Sequence, residues 1–501
     1  MKLPLLRKIL LPLIVLVNCI GFSNASIKVI NELKSCLETN ASNTTSIFVA
    51  RNTHSERYNS VNYQWNTNSE IFPLAYIVPQ TTKDVQNAVR CGKASKVRMF
   101  PKSGGHSYEK YSFGDSESVV VDLANLSEIR VNKAGKTAQI GAGALLSKVY
   151  FTLWTNGKFG LPSTSCTGVG IGGAALGGGY GFWSKRFGLT SDNVIGMDFV
   201  DPQGNLLKVK RNSNPDLFWA LGGGGLGNFG IVTNFEFKIF DAASLNVKQI
   251  VLKFCVNLFE QIFSGFQTLV YERRNGNPYI GMTITPQDIT VKIIDTDLSD
   301  ADIRKIVDRF PPQMLKPVSV KSMDFFELTL ENSTPETKTP EDLLKVSRMS
   351  TSKHGYRAKS YFSSKILNHR KIAQLKPSLS SVPSGIFLQF GSFGGAVNQI
   401  PKNETSFVHR DSLYLIQVGI SPSDEHSKTE LQQRIWLREF NNVAQVLDNG
   451  ESYQNYVDGE LKNDFLQRYY GDNVRRLIEI KRQIDPDNYF AYEQSIPLRN
   501  P

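Results

Sequence analysis

The sequence predicts an α+β fold built from two domains, and three observations support this prediction. From about Ile71 to Asp241, short runs rich in β-branched and aromatic residues alternate with glycine turns. After Asp241 glycine becomes sparse, and longer strand-like and helical segments follow to about Val446, as in an antiparallel sheet covered by helices. The chain has 501 residues, 41% of them hydrophobic and 21% charged, so it can bury the cores of two or three domains.

The first region contains a regular succession of elements. Apolar residues at helical spacing over Asp84–Arg90, after the start signal Thr81-Thr82, predict a helix between its first two strands. Its predicted strands are Ala75–Val78, Val97–Phe100, Val119–Leu123 and Ala138–Gly141.

The second region begins with a strand-like run at Leu245–Phe254. Within it, the charged and proline-containing stretch Pro335–Asp342 predicts a surface loop. The end of the chain has an extended start, a predicted helix over Asn473–Gln483 and a turn-like close. We therefore divide the chain into residues 1–25, 26–241, 242–450 and 451–501.

Residues 1–25 have the pattern of a secretory signal peptide. Three basic residues precede an apolar run over residues 9–20, and Ser23-Asn24-Ala25 supplies the small residues of a cleavage site. The run is too short for a good membrane span, and no other long apolar run follows. We expect a secreted protein without stable membrane insertion, whose net charge falls from +11 to +8 when the peptide is removed.

The remaining lysines and arginines are scattered rather than gathered into one stripe, so no nucleic-acid partner is expected. Export agrees with the presence of sequons for N-glycosylation, at Asn40, Asn43, Asn125, Asn332 and Asn403. Four cysteines lie after the signal peptide, which is too few for a disulfide scaffold and predicts one disulfide with two free thiols.

Two stretches, Gly168–Gly173 and Gly225–Gly230, match the pattern G-x-G-x-x-G. A Rossmann fold needs a preceding strand, a helix that opens on the glycines and an acidic residue about 20 positions later. The first stretch continues into Gly177–Gly181, a poor helix start, and the second continues into the β-branched run Ile231–Thr233. We therefore expect no Rossmann fold. The glycines are either plain turns or loops whose backbone N–H groups hold a diphosphate.

Two residues beside glycines can carry chemistry. His106 follows two glycines and precedes Ser107 and Tyr108, and Cys166 opens the longest glycine run. A lone histidine is more often an ordinary loop residue, and a buried cysteine is more often an inert apolar one. Neither residue indicates a function by itself, so each is interpreted together with the sequence pattern around it.

The wider pattern consists of the segments Pro101–Glu109, Cys166–Gly173, Leu176–Gly181, Asn214–Trp219, Gly222–Gly230, Asn455–Asp458 and Asp485–Pro497. It resembles the berberine bridge enzyme-like branch of the FAD-linked oxidases. The resemblance covers nearly the whole chain after the signal peptide, in the same order. It implies a two-part FAD-binding domain of the PCMH type, from residues 26–241 and 451–501, enclosing a substrate domain over 242–450 whose antiparallel sheet covers the flavin.

The resemblance implies FAD bound by two covalent links, a histidyl link through His106 and a cysteinyl link through Cys166. Two links keep the cofactor in place outside the cell and make the flavin a stronger oxidant. It also implies a disulfide between Cys36 and Cys91, which leaves Cys255 as a free, buried thiol. No metal site is predicted. The other residues assigned to the cofactor are Lys102, Ser103, Gly104, Gly105, Ser107, Val169, Gly170, Gly173, Gly178, Gly179, Gly230, Val232, Asn455 and Tyr456.

Oxidation of an alcohol needs a base that takes the hydroxyl proton while the carbon gives a hydride to the flavin. The resemblance assigns this base to Tyr456 and places Tyr108 near the flavin and the substrate. A tyrosine with an ordinary pKa of about 10 serves as a base where a positive neighbour or hydrogen bonds favour the phenolate. The alternative for either tyrosine is a packing role.

Gln389 and Gln417 lie among apolar residues of two predicted strands, where an amide can bind a sugar hydroxyl or satisfy a neighbouring strand. By resemblance both face the substrate, and Gln417 favours a sugar over an amine because alkaloid-oxidising relatives have a glutamate there. Position 391 departs from the oligosaccharide oxidases, which have an aspartate that assists the catalytic tyrosine where this chain has Gly391. Another partner must then lower the pKa of Tyr456, either a lysine or a tyrosine such as Tyr453.

Val169 indicates the electron acceptor, because in this family a valine there accompanies access of dioxygen to the flavin. The sequence thus predicts a secreted FAD-dependent oxidase that converts the anomeric hydroxyl of a mono- or oligosaccharide to a lactone and reduces dioxygen to hydrogen peroxide. One alternative is an oxidase or dehydrogenase of an allylic alcohol or a secondary metabolite. Another is a non-catalytic secreted protein that binds flavin or sugar.

Overall fold

The computed structural model describes residues 23–40, 48–53, 55–68, 70–296, 298–333, 337–350, 353–421 and 428–499. Residues 1–22 of the predicted signal peptide and the sequon asparagine Asn43 lie outside these ranges. Within the described residues, no helix has both the length and the apolar character needed to cross a membrane.

The described strands are β1 (Phe48–Ala50), β2 (Ala75–Ile77), β3 (Met99–Lys102), β4 (Val119–Asp122), β5 (Ile129–Asn132), β6 (Thr137–Gly141), β7 (Phe159–Gly160), β8 (Val194–Val200), β9 (Leu206–Val209), β10 (Ile231–Lys238), β11 (Phe240–Asp241), β12 (Val247–Phe254), β13 (Tyr279–Ile284), β14 (Ile289–Thr296), β15 (Ser319–Met323), β16 (Arg357–Ser363), β17 (Ile386–Ser392) and β18 (Tyr414–Ile420).

The described α-helices are α1 (Asn24–Asn40), α2 (Glu56–Val61), α3 (Thr82–Ala94), α4 (Leu146–Thr155), α5 (Ile171–Leu176), α6 (Ser184–Phe187), α7 (Pro215–Gly224), α8 (Phe259–Glu272), α9 (Asp300–Val307), α10 (Phe325–Glu331), α11 (His369–Leu379), α12 (Lys428–Ala444), α13 (Phe465–Tyr470) and α14 (Val474–Ile484).

The first region forms two larger sheets and a short antiparallel pair of β7 with β11. One has the order β1-β2-β4-β3 with parallel pairs on both sides of β4, and the other has the antiparallel order β5-β6-β10-β8-β9. Helix α3 makes the connection that parallel strands require. A capping box starts it, because Thr81 Oγ1 accepts the Asp84 N–H while the Asp84 carboxylate accepts the Thr81 N–H.

The core of this region takes residues from both ends of the chain. Val85 and Phe235 share one cluster of buried side chains with Leu477, Phe490 and Ile496. The end of the chain therefore completes the core that the first half begins. A disulfide between Cys36 and Cys91, with the two Cα atoms 5.7 Å apart, also ties α1 to α3.

The second region forms an antiparallel sheet in the order β15-β12-β14-β13-β17-β18-β16. Side chains of a strand point alternately to its two faces. In β18, Ile416 belongs to the core under helices α8, α11 and α12, whereas Leu415 packs on the first region. Gln417 lies on the same face as Leu415, so one face of the sheet is covered by helices and the other looks towards the first region.

Three details differ from the sequence prediction. Residues Pro340–Lys345 form a short 3₁₀ helix that begins within the predicted loop Pro335–Asp342 and extends beyond it, because Leu343 is buried in the first core. Residues 335 and 336 of that loop lie outside the described residues. Cys255 is exposed rather than buried, since it lies just after the last residue of β12. Gly170 does precede a helix, the six-residue α5, which ends before Gly177.

Candidate active site

A cavity of about 500 Å³ lies between the glycine loops of the first region and the sheet of the second. The predicted catalytic residues Tyr456, Tyr108, Gln389 and Gln417 all line it. Of the predicted cofactor residues, it is also lined by His106, Cys166, Ser103, Gly104, Gly105, Ser107, Val169, Gly170, Gly173, Gly230, Val232 and Asn455.

Lys102 does not line the cavity, unlike the prediction. Its side chain is 1% exposed and lies behind the loop, where Nζ donates to the Val61 carbonyl at 2.6 Å and contacts the Asp122 carboxylate at 3.0 Å. An ammonium group with those partners is too well satisfied at the back of the loop to reach a cofactor.

Gly178 and Gly179 also lie outside the lining. Both have positive φ angles, 123° and 78°, in the region that favours glycine. The Gly179 N–H donates to the Tyr453 hydroxyl at 2.9 Å. These glycines shape the turn that leads to Tyr180, and that residue does line the cavity.

The two glycine loops meet backbone to backbone. A Cβ atom on Gly104 would stand 2.3 Å from the Gly170 nitrogen, and one on Gly170 would stand 2.2 Å from the Gly104 nitrogen. Ser103 joins the loops further, because its hydroxyl donates to the Ala142 carbonyl and accepts the Gly172 N–H. Only residues without a side chain permit this approach, and it brings backbone N–H groups to the cavity wall.

The two predicted attachment residues lie on these loops. Burial lowers the pKa of His106 to about 4, so its imidazole is neutral in neutral solution. Its Nε2 atom is buried and has no hydrogen-bond partner among the described residues. The Trp65 ring stacks on the imidazole ring, with the two ring centres 4.9 Å apart. The Cys166 thiol opens to the same cavity, and burial raises its pKa. A neutral imidazole, a free thiol and bare backbone donors fit a flavin dinucleotide.

A hydrogen-bonded group of three side chains forms the other end of the cavity. Gln417 Nε2 donates to the Tyr108 hydroxyl at 3.0 Å and to the Tyr356 hydroxyl at 3.1 Å. Its carbonyl oxygen remains as an acceptor. Gln389 lies directly opposite Gln417 on the neighbouring strand β17, which places both amides on one face of the sheet.

Tyr456 stands beside this group, with its ring 6.0 Å from that of Tyr108 and 4.9 Å from that of Tyr453. Burial raises the pKa of Tyr456 well above its usual value, and the neighbouring Tyr108 and Tyr453 raise it further. The expectation that Tyr453 would lower this pKa is therefore wrong. Its hydroxyl instead accepts the N–H groups of Gly179 and Tyr180.

Gly391 leaves room for a different side chain. A Cβ atom there would stand 2.4 Å from the Tyr180 hydroxyl, which donates to the Ser392 carbonyl at 2.9 Å. Tyr180 thus fills the space in which an aspartate at position 391 would begin.

The lining consists of apolar and neutral polar groups together with two histidines, of which His106 is neutral. Among the described residues, no aspartate, glutamate, lysine or arginine lines the cavity. Its polar groups are phenols, amides, hydroxyls, imidazoles, one thiol and backbone N–H groups. Such a surface suits a neutral substrate, because a buried ion without a counter-charge is costly.

Sequence reasoning missed Trp65 and Tyr356, which both line the cavity. Asn66, 1% exposed, follows Trp65 in the chain and fixes the backbone of Tyr356. Its amide donates to the Tyr356 carbonyl, and its oxygen accepts the Tyr356 N–H. These contacts join positions 290 residues apart. Neither residue lies in a motif, so no local signal could have found them.

Comparisons with known proteins agree with this site. Residues 73–210 match the family model "FAD binding domain", and residues 452–497 match "Berberine and berberine like". Berberine bridge enzyme-like 21 of Arabidopsis thaliana is 30% identical over 469 residues, 87% of this chain and 85% of the relative. Monolignol oxidoreductase AtBBE-like 13 of the same plant is 30% identical over 473 residues, 85% of this chain and 86% of its own.

The fold is shared with solved structures. A chitooligosaccharide oxidase superposes with a TM-score of 0.83 at 27% identity, over 93% of this chain and 99% of that one. The mixed helix-and-sheet architecture thus recurs in a solved structure. On these grounds the chain belongs to the berberine bridge enzyme-like family of FAD-linked oxidoreductases.

Proposed function

We propose that this protein is a secreted oxidase that converts the anomeric hydroxyl of a neutral mono- or oligosaccharide to a lactone. FAD supplies the acceptor for the two electrons, and dioxygen then takes them to form hydrogen peroxide. The uncharged lining of the cavity is the observation that carries this proposal. It disfavours amines and acids, and its amides and phenols match the hydroxyl groups of a sugar.

Each of the polar side chains of the site has a separate role in this reaction. Tyr456 takes the proton of the reacting hydroxyl. Gln417 accepts a hydrogen bond from a second hydroxyl, and Tyr108 and Tyr356, whose oxygens already accept from Gln417, donate outward to the substrate. Gln389 adds an amide on the same face of the sheet. His106 and Cys166 hold the cofactor by two covalent links.

The choice of dioxygen as acceptor rests on Val169, a half-buried part of the cavity wall. A short β-branched side chain at this place leaves a path for a small diatomic molecule. The chitooligosaccharide oxidase with the same fold is described by its name as an oxidase. Both points support an oxidase over a dehydrogenase.

The second candidate is oxidation of an allylic alcohol attached to an aromatic ring. Tyr108, Phe182, Tyr279 and Tyr356 line the substrate side of the cavity, where they can stack on an aromatic ring as well as on a sugar face. A relative that is 30% identical carries the name monolignol oxidoreductase. The substrate panel below separates the two candidates.

The test uses full-length protein collected from the culture medium. An absorbance spectrum before and after acid precipitation should show yellow colour that stays in the pellet, whereas in the His106→Ala, Cys166→Ala double variant it should pass to the supernatant. Peroxide is then measured with glucose, xylobiose and chitobiose and with coniferyl alcohol. Peroxide from the sugars supports the proposal, and peroxide from the alcohol alone replaces it by the second candidate. Protein found only inside the cells contradicts secretion.

A further inference from the structure

The diphosphate of FAD carries two negative charges, yet the described cavity lining offers it no cation. An uncompensated buried charge is costly, and backbone N–H groups alone supply only partial charges. A counter-charge should therefore lie close behind the wall. Such a counter-charge would be a buried charged group that contacts a lining residue from behind.

A cluster of three charged side chains meets this requirement. Asp122, 1% exposed, lies at the end of β4. Its carboxylate accepts from Arg348 Nη1 at 2.6 Å and 2.7 Å, and it stands 3.0 Å from Lys102 Nζ. Lys102 Nζ also lies over the ring of Phe113 at 4.9 Å. We call this group the Lys102–Asp122–Arg348 cluster.

The cluster has two cations and one anion, so its formal net charge is +1. Among the described residues, the charged groups that act on the Lys102 ammonium are Asp122 and Arg348. Burial lowers the pKa of Lys102 to about 8, so the ammonium remains protonated at pH 7. Lys102 and Arg348 hold the pKa of Asp122 below its usual value, although burial opposes them. The excess positive charge is therefore present in neutral solution.

The cluster touches the back of the loop that forms the cavity wall. Arg348 Nη2 donates to the Ser103 carbonyl, and a Cβ atom on Gly105 would stand 3.2 Å from the Lys102 side chain. In a trans peptide the C=O and N–H groups point in opposite directions. A guanidinium on the Ser103 carbonyl thus turns the Gly104 N–H away from the cluster and strengthens the dipole of that peptide.

Arg348 belongs to the second region, whereas Lys102 and Asp122 belong to the first. The positive excess exists only when the two regions are in contact, because Lys102 and Asp122 alone cancel. The second region thereby contributes to the potential at the cofactor loop without lining the diphosphate site.

We propose that the Lys102–Asp122–Arg348 cluster is the counter-charge for the diphosphate of FAD, acting through the Ser103–Gly105 backbone rather than by direct contact. Lys102 then has an electrostatic role behind the loop in place of the contact that the sequence predicted. At the effective dielectric of a protein, one charge within about 10 Å of the diphosphate would change the affinity for FAD by roughly tenfold.

The experiment compares FAD with riboflavin, which has the same ring system without the diphosphate. The full-length chain carries His106→Ala and Cys166→Ala so that binding is reversible, and quenching of flavin fluorescence gives both Kd values. Lys102→Met and Arg348→Gln each remove one positive charge from the cluster. Asp122→Asn removes its one negative charge. Lys133→Met, at an exposed lysine, is the control.

We expect Lys102→Met and Arg348→Gln to raise the ratio of Kd for FAD to Kd for riboflavin about tenfold, equal to about 1.4 kcal/mol. Asp122→Asn should lower that ratio, and Lys133→Met should leave it unchanged. A merely structural cluster would weaken both ligands alike, so equal ratios, or a shift of Lys102→Met and Asp122→Asn in the same direction, would overturn the proposal. Arg348→Gln keeps the buried Lys102–Asp122 pair and serves if Lys102→Met does not fold.

Discussion

At the scale of single residues, the chemistry of the site depends on phenols. Tyr456 has no cation among the groups that shift its pKa, and burial together with the neighbouring Tyr108, Tyr453 and Tyr279 disfavours its phenolate. Burial is also the main cause that raises the pKa values of Tyr108 and Tyr356. A base of this kind is almost wholly protonated in neutral solution, so only a small fraction of the enzyme is competent at any moment.

A pH dependence follows from that raised pKa. Below its pKa the phenolate fraction of Tyr456 grows about tenfold for each pH unit, so kcat should rise with that slope from about pH 6 to pH 9. Steady-state peroxide formation at saturating substrate measures it. Tyr456→Phe should remove the slope along with most of the rate, and a flat profile in the unsubstituted protein would exclude Tyr456 as the base.

At the scale of elements, local rules explain much of the first region. The helical spacing over Asp84–Arg90 after Thr81-Thr82 predicts helix α3, and in the structure Thr81 and Asp84 form its capping box. The β-rich run Val119–Leu123 predicts strand β4, whose four residues are all buried. The 3₁₀ helix at Pro340–Lys345 was missed because Leu343 is held by the first core, and no local pattern reveals a contact of that kind.

The disulfide between α1 and α3 should stabilise the fold chiefly by restricting the unfolded chain. It closes a loop with a sequence separation of 55 residues, for which the chain-entropy relation gives about 4 kcal/mol. Cys36→Ser combined with Cys91→Ser should lower the free energy of unfolding by that order, as measured by urea denaturation. Cys255→Ser, which replaces an exposed free thiol, is the matched control and should change stability by less than about 0.5 kcal/mol. An equal effect of both changes would contradict this account.

At the scale of the whole molecule, two cores meet across a third cluster of buried aromatic side chains. Tyr180, Phe325, Phe393, Phe407 and Tyr453 belong to this cluster. The change of texture near residue 242 lies between β11, which ends at Asp241, and β12, which begins the second sheet. The pairing of Gln389 with Gln417, and the contacts of Trp65 and Tyr356 with the site, depend on register and packing between distant segments, which composition does not specify.

A buried ion pair crosses between the two regions. Arg410 donates to the Asp192 carboxylate at 2.7 Å and 2.9 Å, with both side chains less than 5% exposed. Arg410→Gln should lower the free energy of unfolding by about 3–5 kcal/mol because it leaves Asp192 buried without its partner. Chemical denaturation measures the loss.

Two further variants test that explanation. The double variant Arg410→Met, Asp192→Leu should recover most of the lost stability, since no charge remains buried. Arg475→Gln removes an exposed partner of Glu479 and should change stability by less than about 1 kcal/mol. If the double variant were as unstable as Arg410→Gln, lost packing rather than the unpaired charge would be the cause.

The shared first core also sets an order of assembly during translation. Leu477, Phe490 and Ile496 complete that core and leave the ribosome after the second core, which is built from residues between Ile250 and Leu447. The second core can therefore fold during translation before the first core has all of its residues. The cofactor loops are made early, but their scaffold is complete only once Ile496 has been synthesised.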